Sequence, residues 1–61
     1  MTLKDRAATA LDNTHEPRLA YRGPMTMKLR ELVAAWLDGR KVRTSIIRKS
    51  VAYLEMVQSH S

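Results

Sequence analysis

The chain contains no cysteine and no phenylalanine, only two glycines and two prolines, and six acidic residues against eleven basic ones. Without cysteine, neither a disulfide nor a thiolate zinc site can staple a small fold. His15 and His60 stand far apart with no acidic cluster around them, so the residues predict no metal site. No apolar run approaches the ~20 residues that a membrane span needs. Lys4, Asp5 and Arg6 fall where an export signal requires an apolar stretch, so a cytoplasmic protein is expected.

Catalytic constellations are lacking too. There is no paired-carboxylate arrangement, no Ser–His–Asp set and no glycine-rich phosphate loop, and neither histidine has a base or an orienting group beside it. The expectation is a protein that is not an enzyme and takes no cofactor. The hydroxyls of Thr44, Ser45 and Ser50 read as helix caps and helix surface.

What is present is charge of one sign in one place. The run RKVRTSIIRK, residues 40–49, holds Arg40, Lys41, Arg43, Arg48 and Lys49 and no acid, so it alone carries as much positive charge as the whole chain, net +5. A local basic cluster on a small protein points to a polyanionic partner. Size matters as well: a chain of 61 residues buries only about 60% of its unfolded surface. With no covalent or metal staple, a homodimer is the expected means of completing the core.

Periodicity divides the chain into an arm, residues 1–15, and a single domain, residues 16–61. In residues 2–12, Thr2 and Asp5 have the spacing of a capping box, and Leu3, Ala7, Ala10 and Leu11 share one face. That face is thin and mostly alanine, so the arm is expected to be flexible or only partly helical. Residues 24–38 carry Met25, Leu29, Leu32, Val33, Trp36 and Leu37 as an apolar stripe, with Pro24 in the first turn and Gly39 as the stop. Residues 44–58 form a second amphipathic helix, with Thr44 or Ser45 as N-cap and Ile47, Val51, Leu54 and Val57 on one face, widened by Ile46 and Tyr53. Trp36 and Met56 are expected in the core.

Between the arm and the first of these helices lies EPRLAYRGP, residues 16–24, closed by a proline toward each end. Residues 18–22 alternate: as a strand they send Arg18, Ala20 and Arg22 to one face and Leu19 and Tyr21 to the other. A lone strand has two unpaired edges. Pairing with its own copy across a two-fold axis would give a two-stranded ribbon, and such a ribbon fits the major groove of B-DNA.

The order strand, helix, turn, helix resembles the ribbon-helix-helix repressors, the family of Arc and MetJ. The resemblance rests on Pro17, Pro24, Gly39 and Arg40 at matching spacing, with Val42 and Ile46 at apolar positions, and covers residues 17–57. It implies a mainly α fold, a short strand followed by two helices in an intertwined homodimer. It implies a small DNA-binding transcriptional regulator of phage or plasmid type. Base contacts would fall to Arg18, Ala20 and Arg22, and phosphate contacts to Arg40, Lys41, Arg43, Thr44 and Ser45. The dimer core would comprise Leu19, Tyr21, Leu29, Leu32, Val33, Trp36, Leu37, Ile47, Val51 and Leu54. The alternative is a helical hairpin dimer with no strand, a small phage-type protein that binds and inhibits a host protein. A third reading is a three-helix helix-turn-helix module with residues 44–58 as its recognition helix.

Overall fold

The computed structural model describes residues 1–15 and 23–59, which form three helices: α1 (Leu3–Asn13), α2 (Pro24–Leu37) and α3 (Thr44–Ser59). Local chemistry sets their ends. The Thr2 hydroxyl accepts from the Asp5 amide at 3.1 Å, and the Asp5 carboxylate accepts from the Thr2 amide at 3.2 Å, which closes the capping box. Pro24 opens α2, where its missing N–H is not needed, and Gly23 precedes it at φ +92°, a backbone conformation that side chains disfavour. α2 stops at Asp38. The Gly39 amide then bonds the Trp36 carbonyl and the Arg40 amide bonds the Ala35 carbonyl, each at 3.1 Å. With Gly39 at φ +96°, this is a Schellman motif with glycine at C′.

Each helix packs on both others. Ala7, Ala10, Val33, Ile47, Val51 and Leu54 make the buried core, and Leu3, Leu11, Leu29, Leu32, Trp36, Leu37, Val42 and Tyr53 pack around it. α1 brings only alanines to the centre. Ala7 and Ala10 are nonetheless covered by the other helices, with Leu3 and Leu11 packed at the margin, so a thin apolar face still seals the bundle. Polar contacts pin it at both ends. Arg6 in α1 forms a bidentate pair with Glu55 in α3, at 2.7 and 3.2 Å. Arg30 in α2 donates to the Leu11 carbonyl at 3.0 Å and to the buried Thr14 hydroxyl at 3.2 Å. Thr14 in turn donates to the Ala10 carbonyl at 2.6 Å. Buried Ser50 donates to the Ile46 carbonyl at 2.9 Å, and no buried side-chain polar atom among the described residues is left unbonded.

The expected strand-helix-helix architecture is corrected. Among the described residues there are three helices and no strand, a helical bundle in which the first helix is part of the core. The strand expected over residues 18–22 lies outside the described residues, as do Leu19 and Tyr21. The helical hairpin alternative comes nearer but counts one helix too few. Its error has a physical source: the bonds that hold α1, from Arg30 and Glu55, span 16 to 49 positions of sequence, beyond the reach of periodicity. Trp36 and Met56 also depart from expectation. Trp36 is only half-buried, and Met56 is 49% exposed on the outer side of α3.

Candidate nucleic-acid interface

Residues 38–43 join α2 to α3. The Schellman motif reverses the chain at Gly39, and Val42, half-buried against the core, anchors the turn from below. Its neighbours Lys41 and Arg43 are exposed, as is Arg40. The Arg43 carbonyl accepts from the amides of Ile46 and Ile47, both at 3.1 Å, and so takes the first bonds of α3. Arg43 is therefore the N-cap by backbone geometry, in place of Thr44 or Ser45. Those two stand exposed in the first turn, where helix amides have no intrahelical acceptor. Four of the five residues expected at phosphate, Arg40, Lys41, Arg43 and Thr44, thus lie within five positions, and Ser45 follows directly.

Arg48 and Lys49 extend the patch one turn further and are fully on the outside, because the same turn buries Ile47 and Ser50 toward the other helices. The ribbon-helix-helix resemblance placed them in the basic run but not among its contact residues; only the helix-turn-helix reading, with residues 44–58 as recognition helix, turned them toward DNA, and that helix offers few polar outward residues beyond them. No acid occurs between Gly39 and Leu54. Among the described residues the one ion pair is Arg6–Glu55, which sits on the later turns of α3. There the Arg6 hydrogen bond holds the Glu55 carboxyl below its ordinary pKa, against a smaller opposing effect of desolvation. Among the described residues none of the five cations from Arg40 to Lys49 forms an ion pair, and a helix N-terminus, itself favourable to anions, lies among them.

The expected base-contact residues Arg18, Ala20 and Arg22 lie outside the described residues. The expected dimer-core residues divide. Val33, Ile47, Val51 and Leu54 are fully buried within one chain, whereas Leu29, Leu32, Trp36 and Leu37 are only partly covered by it. Met25, Ile46 and Met56, 55%, 43% and 49% exposed, add apolar surface on α2 and α3.

Elsewhere, Leu11, Met27, Arg30, Glu31 and Ala34 line a shallow cavity of about 170 Å³ between α1 and α2. The Arg30 guanidinium in its wall is already engaged with α1. Among the described residues no three His, Asp or Glu side chains gather as a metal centre would require, and no helix is long and apolar enough to cross a membrane. No family model, curated protein or solved structure matches the chain, so the likeness to ribbon-helix-helix repressors rests on the residues quoted above alone.

Proposed function

We propose that the protein is a small DNA-binding regulator that grips the phosphate backbone with the basic end of its bundle. Arg40, Lys41 and Arg43 are the main phosphate contacts, with Thr44 and Ser45 beside them. The observation that carries this reading is the placement of five exposed cations on one turn and the first half of one helix, with no acid among them. Charge so arranged is costly to hold together without a polyanion, and phosphate neutralisation releases counterions. The ribbon is not part of this reading.

The test is a salt series on duplex DNA with the full chain. Three to five phosphate contacts give a slope of log K against log salt of roughly −3 to −4.5. Lys41→Ala and Arg43→Ala should each reduce the slope by about one and weaken all duplexes alike. A slope near zero would defeat the proposal.

A second reading is favoured by Met25, Ile46 and Met56. Ile46 and Met56 lie on the same side of α3 as Lys49, and exposed apolar side chains beside a cation suit an acidic, partly apolar protein surface, as a host-protein inhibitor would need. Alanine at Ile46 and Met56 would then abolish capture of that partner while leaving the DNA salt slope untouched.

A further inference from the structure

We infer that the first half of α3 reads bases: Ser45, Arg48, Lys49 and Ala52 form the face that enters the major groove of B-DNA. This rests on the DNA-binding reading above and names the contacts that would give it sequence preference. The four residues are spaced i, i+3, i+4, i+7, so they form one stripe along the helix. All four are exposed, and they lie opposite Ile47, Val51 and Leu54, which face the core. α1 borders the stripe without covering it: Glu55, three residues beyond Ala52 and seven beyond Arg48 on the same side of α3, is tied to Arg6, while Arg48 and Ala52 stay exposed.

The dimensions and chemistry agree. Eight residues of helix span about 12 Å, close to the ~12 Å width of the major groove. A helix entering at its N-terminal end places its first residues on base edges. Arg48 and Lys49 suit the O6 and N7 acceptors of guanine, Ser45 can donate or accept, and the Ala52 methyl suits the thymine methyl. The stripe changes character after Ala52, where Met56 follows on the same side. Reading therefore ends within the first two turns. The cations of residues 40–43 precede the stripe and fall on the groove wall as it enters, so backbone grip and base reading come from adjacent parts of one element.

This placement separates DNA from RNA. The major groove of A-form RNA is too deep and narrow for side chains to read, so the stripe would have no access there.

The experiment selects duplexes from a random DNA pool with the full chain. It then compares the selected site, a random duplex and double-stranded RNA of the selected sequence, for the parent, Arg48→Ala, Ala52→Ser and Arg40→Ala. All three substitutions are at exposed positions, and circular dichroism confirms the fold of each. The parent should prefer the selected site over the random duplex and over the RNA. Arg48→Ala should lose about 5- to 100-fold on the selected site and much less on the random duplex. Ala52→Ser should shift the preferred base at one position. Arg40→Ala should weaken both duplexes equally. If Arg48→Ala weakens selected and random duplex to the same degree, or if the RNA binds as well as the DNA, α3 touches backbone only. This inference then falls while the DNA-binding reading stands. Absence of salt-dependent duplex binding by the parent removes both.

Discussion

The guanidinium of Arg30, in the middle of α2, donates to the carbonyl oxygen of Leu11 at 3.0 Å and closes the C-terminal end of α1. The last carbonyls of a helix have no intrahelical partner, and a cation there also meets the negative end of the helix dipole. The same guanidinium reaches the Thr14 hydroxyl at 3.2 Å, so one side chain ties the end of α1 twice. Arg30→Met keeps much of the stem and removes both bonds. It should destabilise the fold by about 1–3 kcal/mol in denaturant melts. Arg30→Lys should recover only part of that loss, because a single ammonium cannot reproduce the fork.

α1 seals the core through Ala7, fully buried, and Ala10, 3% exposed. Ala7→Leu inserts volume at a fully buried position, and should cost about 1–3 kcal/mol. Ala8→Leu, one position on and exposed, should leave the denaturant midpoint nearly unchanged and serves as the control. Removing residues 1–14 should destabilise the bundle strongly, since it uncovers apolar side chains of α2 and α3. A truncated chain with an unchanged midpoint would show that α1 contributes nothing to the core.

Leu54 is fully buried in α3. Leu54→Ala should cost about 2–5 kcal/mol, the range for a core leucine that leaves a cavity. Trp36→Ala should cost less than a fully buried tryptophan would, because the ring is only partly covered by its own chain. The comparison is made by urea melts at one protein concentration.

The Arg6–Glu55 pair predicts an acid limb. Hydrogen bonding to Arg6 lowers the Glu55 pKa in the folded state, so the pair stabilises above the unfolded pKa of about 4.3. That contribution is lost as pH falls through the lower folded value. Both side chains are over 40% exposed, so the effect is small and screened by salt. Glu55→Gln should flatten thermal stability between pH 5 and 3 relative to the parent, most visibly at low ionic strength.

A second copy would cover the apolar surface at Met25, Leu32, Trp36 and Ile46, part of it on residues expected in a dimer core. If two chains associate there, dilution should lower the thermal midpoint, because folding and association are linked. Ile46→Glu should then make melting independent of concentration. A monomer mass in sedimentation with concentration-independent melting of the parent would exclude the dimer.

Much of the bundle was legible in the sequence because its signals are local. The Thr2–Asp5 spacing, Pro24 at the start of α2, Gly39 at its end and the i, i+4, i+7 spacing of Ile47, Val51 and Leu54 each act within a few positions, and each appears where expected. The role of α1 was not legible. Its alanines have little area to register as a core face, and the partners that fix it, Arg30 and Glu55, come from other helices. At the candidate site the charge was plain in the run at residues 40–49, and the apolar face of Ile47, Val51 and Leu54 already turned Arg48 and Lys49 outward. Burial of Ser50 beside Ile47 was not legible, because it depends on where α1 and α2 sit.

The alanine face of α1 also has a kinetic meaning. Besides Ala7 and Ala10, α1 contributes only Leu3 and Leu11 at the margin of the core, with a partly exposed ion pair and one arginine clamp, whereas α2 and α3 share most of the large apolar side chains. α1 is thus expected to open before α2 and α3 part. Its amide protons should exchange with solvent well before those of Val51 and Leu54. Opening of α1 would uncover part of the apolar core that it shares with α2 and α3, so the same step that frees its amides also exposes hydrophobic surface.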